Sequence, residues 1–361
     1  MAHPRSSLRL PLPFAIAGIV ALASACGDNG TGPGPMKPAD PLATAANIEA
    51  LNTSFSSQAF EAFALASFYS PAATSSFGVL RTLLPTAGPA LAGRPPSLTE
   101  SRLAAAALRA ALVPSSGAIP ASVLPPEVLG KTFEWDTVGS SGYIATDRTG
   151  ADSKGVRFIL YALDPVYPIL PLQEIGYADL IDESTNSVQT LHILVVGNIG
   201  PTTYMDYRVS ATTTKVTVVG FITDGVHRLD FNCTLSGNVL DIRFDMNADD
   251  AHVRLAITAS VPDANTTILA IDFRLQFGTE VVTVKGTLTE TTTTSGNLTV
   301  RVNGGVYATV TITDDVASFA PGAGLELTAD DFTALNAIYD AVFGVLFRFF
   351  DLLAPALGLL G

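Results

Sequence analysis

The chain has 361 residues, 48% of them hydrophobic and only 15% charged, with a net charge of −13 and a pI near 4.6. That balance excludes a disordered polyelectrolyte and describes a chain with ample apolar surface to bury. The acidic surface argues against nucleic acid as a partner and against electrostatic docking on anionic headgroups.

The first 25 residues read as an export signal. A basic segment with Arg5 and Arg9 precedes an apolar run from Phe14 to Ala23, and small residues follow. Leu22-Ala23-Ser24-Ala25-Cys26 resembles the lipobox of bacterial lipoproteins. The resemblance implies cleavage before Cys26, which becomes the acylated first residue of the mature protein. Several acyl chains on one cysteine suit stable anchoring, which a single chain does not supply. An ordinary cleaved secretory signal is the competing reading. A transmembrane anchor fits less well, because the apolar run is shorter than the ~20 residues a span needs. Gly27, and not an aspartate, follows the cysteine; by the family's sorting tendency this implies outer-membrane delivery in a two-membrane cell.

Residues 26–40 are Gly/Pro-rich and are expected to form a flexible tether. Residues 41–126 read as N-terminal helices and Pro/Ala-rich linker. Asp40-Pro41 has the form of a helix start, a capping carboxylate followed by proline in the first turn. Ile48, Leu51, Phe55, Ala59, Phe63 and Ala66 then recur at helical spacing as one apolar stripe. Ser97-Leu98-Thr99-Glu100 matches a capping box before an alanine-rich run to Leu112.

From Lys131 to about Phe319 the apolar period changes to two, which predicts roughly a dozen strands within a region spanning 127–361. Turn signals test this. Asp224-Gly225 as a two-residue turn sets Val218 opposite Phe231 and Gly220 opposite Leu229. Ser236-Gly237 sets Phe231 opposite Ile242 and Leu229 opposite Phe244. Gly278-Thr279 sets Leu275 opposite Val282 and Phe273 opposite Val284. Asn303-Gly304-Gly305 sets Val302 opposite Val306 and Val300 opposite Ala308. Turn geometry and apolar phase agree in all four, predicting an antiparallel up-and-down meander with one hydrophobic face. On the polar face the same registers place Arg228 opposite Asp245, Asp230 opposite Arg243 and Asp272 opposite Lys285. Strands near 156–163 and 191–196 are apolar on both faces, so a covering layer is expected there, with the N-terminal helices the candidates.

Thr328 caps a helix extending to about Leu353, apolar around most of its circumference. A sheet of a dozen strands must curl or close. The expected fold is therefore mainly β with flanking helices: a large curled antiparallel meander, half-barrel or barrel-like, wrapped along the apolar C-terminal helix.

Chemistry is sparse. With Cys26 assigned to the lipobox, Cys233 stands alone and, in phase with Leu229, Phe231 and Leu235, reads as a small buried hydrophobe. His192, His227 and His252 have no metal-ligand spacing, and no Cys cluster exists, so neither a metal nor a cofactor is expected. No G-x-S-x-G elbow is present. Gly150–Gly155 lacks the order of a phosphate loop. Asn247-Ala248-Asp249-Asp250 reads as a solvated turn and Thr291–Thr294 as an exposed loop.

The sequence therefore supports a non-catalytic structural or interaction lipoprotein, exported and held at the membrane through Cys26. The alternative is a carrier of lipid or another apolar ligand, similar in outline to bacterial lipoprotein carriers with a curled half-barrel. It would bury an acyl chain among Phe231, Phe273 and Phe343. An enzyme would require a polar cleft converging on one of the three histidines.

Overall fold

The computed structural model describes residues 33–53, 59, 61–63, 65, 123–138, 142–164, 167–198, 200, 202–212, 214–236, 239–248, 251–263, 266–314 and 316–342. The lipobox, the 97–112 segment and Phe343 lie outside them. Helix α1 (Pro41–Thr53) begins as its sequence dictates, with the Asp40 carboxylate accepting the Ala43 N–H at 3.0 Å.

The sheet begins with β1 (Lys131–Trp135), β2 (Tyr143–Thr146) and β3 (Gly155–Tyr161), followed by a small separate ladder of β4 (Leu163–Asp164) and β5 (Tyr167–Pro168). Then come β6 (Glu174–Asp182), β7 (Gln189–Gly197), β8 (Thr203–Ala211), β9 (Lys215–Thr223), β10 (Arg228–Ser236) and β11 (Val239–Ala248). The last strands are β12 (Ala251–Asp263), β13 (Thr266–Phe277), β14 (Glu280–Glu290), β15 (Thr294–Val302), β16 (Gly305–Thr313) and β17 (Val316–Pro321). From β6 to β17 every strand pairs antiparallel with its successor, the up-and-down meander that the turns predicted. At the other edge β3 joins β6, β1 lies parallel to β3, and β2 closes the order of a single 15-stranded sheet. The sheet is open: β2 and β17 end it without pairing to each other.

Fourteen inter-strand steps would make a flat sheet roughly 67 Å wide, far more than helices of ~10 Å diameter could cover. Yet its inner face is buried across most of its width, while the edge strand β17 is partly open. Ile193, Tyr207, Phe231, Phe244, Leu255, Phe273, Val284 and Val300, with one glycine between Tyr207 and Phe231, form a row of successive partners across the nine strands β7 to β15, and none of the eight named side chains is more than 5% exposed. Such burial requires the sheet to curl around its own inner face. Leu335, Ile338, Ala341 and Val342 of the C-terminal helix (described over 329–342) share that core, as do Ile48 and Phe63 from the N-terminal side.

The interrupting glycine is Gly220, between Tyr207 and Phe231. A Cβ there would fall on the Asp206 carbonyl and on Tyr207 Cα and Cβ. Its absence lets the two rings meet edge-on with centroids 5.8 Å apart.

The turns correct the expected registers in part. Gly278-Thr279 is as read, with Leu275 opposite Val282 and Phe273 opposite Val284. Val300 also faces Ala308, but the β15–β16 connection is the two-residue Asn303-Gly304, with positive φ at both, and Val302 faces Gly305. A bulge between Val300 and Arg301 absorbs the difference. At Asp224 the loop is four residues long, because its carboxylate captures the Val226 and His227 N–H groups at 2.8 and 2.7 Å. Phe231 thus faces Gly220, two residues from the expected Val218. The next hairpin is also displaced by two: Ser236 pairs with Val239, so Phe231 faces Phe244 and Cys233 faces Ile242. A shift of two preserves the face, so the core survives while the charge pairs change. Asp230 faces Asp245 and Arg228 faces Asn247; only Asp272–Lys285 is as expected, with a 2.7 Å ion pair. Thr294 begins β15 and is 1% exposed, so only 291–293 form the connection read as a longer loop.

Alternation gives the sheet two rims. The entry rim carries the β7–β8, β9–β10, β11–β12, β13–β14 and β15–β16 connections and the downstream ends of β1 and β3. The far rim carries the intervening connections. The N-terminal segment joins at the entry rim, where the Met36 N–H donates to the Val306 carbonyl at 3.3 Å and Ala39 N–H to Glu280 Oε2 at 3.0 Å.

Candidate functional site

The densest group of chemically capable side chains lies on the outer face of β7 and β8 and at the end of β6. His192 and Arg208 are direct cross-strand partners, and Asp206 sits two residues from Arg208 on the same face. His192 Nδ1 lies 3.0 Å from Glu183 Oε1, and Nε2 lies 2.8 Å from Asp206 Oδ1. Arg208 Nε donates to Glu183 Oε2 at 2.8 Å, which closes the ring of charges. That hydrogen bond outweighs partial burial and holds the Glu183 carboxyl below its ordinary range; burial by itself would raise it.

Each imidazole nitrogen lies within hydrogen-bond distance of a carboxylate oxygen, and Nδ1 is also 3.2 Å from Arg208 Nη2, so both nitrogens are engaged within the cluster. Thr190 and Ser210, the next cross-strand pair on this face, bond each other at 3.0 Å. His192 is 9% exposed and serves as the hub of a polar rivet across three strands.

The other histidines are separate. His227 Nδ1 binds Asp224 Oδ2 at 2.8 Å inside the β9–β10 loop. His252 Nε2 binds Asp245 Oδ1 at 2.8 Å on β12, five strands from β7, or about 24 Å across the sheet. Burial pushes the Asp245 carboxyl up, but hydrogen bonds from His252 and Arg254 bring it below the usual value. The three histidines therefore do not converge. Among the described residues no three His, Cys, Asp or Glu side chains are grouped to hold a metal ion.

Other outer-face charges are also engaged locally. Arg157 forks onto Asp179 at 2.7 and 2.6 Å and lies 3.8 Å over the Tyr177 ring, while Arg148 bridges Glu134 and Glu174.

A second polar node is buried. Asp331, 1% exposed, accepts from Lys37 Nζ at 2.6 Å, Tyr307 OH at 2.8 Å, and the Thr328 N–H and hydroxyl, both at 2.8 Å. Burial raises the carboxyl, and these four donors overcome it to hold Asp331 well below the usual carboxylate range. Thr328 was legible as a helix cap; Lys37, the partner of Asp331 and 294 positions from it, carried no local signal. The partners of His192 were equally hidden, since they depend on the β7–β8 register.

Of the apolar residues proposed to line a cavity, Phe231 and Phe273 occupy the inner row at 5% and 1% exposure. Cys233 is 2% exposed, and burial, with a smaller contribution from Asp241, pushes its thiol up to about 12.

The fold defines a class: an open, curled antiparallel meander with one face of the C-terminal helix, Leu335, Ile338, Ala341 and Val342, in its core and ion pairs on its outer face. No family model, curated protein or solved structure matches this chain.

Proposed function

We propose that this protein is a lipid-anchored exported lipoprotein, held at the outer membrane through acyl chains on Cys26, that acts without catalysis as a structural or interaction protein. The lipobox residues supply the anchor and address. The observation that carries the rest is the near-complete cover of the inner row from Ile193 to Val300, which leaves the outer face and rims as the surfaces available to a partner. The clamped state of His192 supports the same reading. No helix among the described residues is long and apolar enough to cross a membrane, so in this proposal attachment rests on Cys26.

A second reading, carriage of a lipid or other apolar ligand, draws on the alignment of Phe231, Phe244 and Phe273 in one continuous inner row. Native mass spectrometry of a gently purified Cys26→Ser chain separates the two. A mass unchanged by incubation with lipid extract supports the interaction protein, while a stoichiometric co-purified lipid supports the carrier. In cells, Cys26→Ser releases the protein from the membrane or leaves its signal uncleaved. Continued attachment after cleavage would overturn the anchor.

A further inference from the structure

The exposed large apolar side chains are unevenly placed. Met36, Leu42, Val138, Tyr167, Leu170 and Val226 are 37%, 49%, 94%, 53%, 68% and 70% exposed. All six fall at the entry rim. Val226 is in the β9–β10 loop, Val138 follows β1, and Tyr167 and Leu170 lie in the connection between β3 and β6. Met36 and Leu42 flank the segment stitched to Val306 and Glu280. Of the other exposed large apolar side chains among the described residues, Val239 and Val316 lie at the far rim, Ile144 and Val219 within β2 and β9, and Phe332 on the C-terminal helix.

The chain's tether reaches the sheet at this same rim. Pro33 lies against Gly304, and the following residues are held by Met36–Val306 and by the buried Lys37–Asp331 pair. Cys26 and Pro33 are seven positions apart, a reach of at most about 25 Å. Strands of nine to thirteen residues in the meander separate the far rim from the entry rim by roughly 30–40 Å.

We infer that the entry rim is a membrane-contact surface, whose exposed aliphatic and aromatic side chains enter the interfacial region of the bilayer beside the anchor. This rests on the lipoprotein reading, and it adds an orientation: the far rim, with its Thr- and Asp-bearing turns, faces away from the membrane. The partner is the apolar–polar boundary of a zwitterionic leaflet. Among the described residues the rim's cations are engaged within the chain, Lys37 by Asp331, Arg228 by Asp230 and Arg301 by the Gly304 carbonyl, while Asp224 and Glu280 are acidic, so the rim suits a zwitterionic surface better than anionic headgroups.

The chain holds its own probe. Trp135 is the single tryptophan, it ends β1 at the entry rim, and its ring lies 6.4 Å from that of the exposed Tyr167. The full chain as the cell produces it is reconstituted into phosphatidylcholine vesicles containing brominated phosphatidylcholine. Insertion predicts roughly twofold quenching of Trp135, lost in Val138→Asp and Leu170→Asp and retained in Val316→Asp at the far rim. All three substitutions are at exposed positions, and an unchanged melting temperature verifies the fold. A chain that floats with vesicles while Trp135 stays unquenched overturns the inference. A chain whose mass shows no acyl groups overturns the anchor reading instead. That chain is then coupled through Cys26 to a maleimide lipid, where quenching again supports the rim assignment and its absence overturns it.

Discussion

Lys37 and Asp331, 294 positions apart, meet at 2.6 Å and join the segment leaving the tether to the start of the C-terminal helix. Asp331 is 1% exposed while Lys37 keeps 29%, so the carboxylate bears most of the desolvation and depends on its four donors. Breaking the pair therefore loosens two ends of the chain at once.

That node sets an acid limit. The folded carboxyl lies below its unfolded value, so its contribution is complete above about pH 4 and declines as pH falls toward the folded value. Asp331→Asn lowers stability at neutral pH by about 3 kcal/mol, since it removes the charge facing Lys37 and turns one of the two accepting oxygens into a donor set against donors, and it flattens the acid limb. Urea denaturation at pH 7 and pH 3 measures both; equal loss at the two pH values would remove the linkage.

Phe273, 1% exposed at the centre of the inner row, gives the packing test. Phe273→Ala costs about 3–5 kcal/mol through lost burial and the cavity left behind. The denaturation midpoint reports it. A loss below 1 kcal/mol would point to space already present around the ring.

Gly220 gives the complementary test. Gly220→Val places its side chain on Tyr207 Cα and Cβ and on the Asp206 carbonyl. It disrupts the Tyr207–Phe231 contact and lowers the thermal midpoint. Val218→Ala, on the same strand and face but with no such collision, separates crowding from simple loss of volume.

Arg208→Gln removes the hydrogen bond that holds Glu183 low, so the carboxyl titrates at higher pH. NMR titration of the Glu183 side chain checks the direction; an unchanged midpoint would show that His192 alone sets it.

Cys233 remains unmodified by a thiol reagent at neutral pH in the folded protein and reacts fully in denaturant. Its burial both blocks access and keeps it protonated.

Sequence patterns were enough to identify the meander, its buried face and the helix caps at Asp40 and Thr328. Alternation with period two requires only local geometry, and Phe231, Cys233 and Phe273 could be assigned inward before any partner was known. Even the misread turns at Asp224 and Ser236 shifted registers by two, which leaves every side chain on its own face. What that displacement changed was the pairing of charges, because a cross-strand neighbour depends on loop length, and the Asp224 loop was lengthened by a carboxylate capturing two N–H groups.

The long-range relations belong to the tertiary structure. The joining of Lys37 to Asp331, the enclosure of His192 by Glu183, Asp206 and Arg208, and the gathering of Met36, Val138, Leu170 and Val226 at one rim join residues with no common local pattern. The amino-acid sequence by itself determined which way side chains point, because backbone geometry repeats every two residues in a strand. Only the curled sheet decided which of them meet, because that depends on how fifteen strands bend around one core.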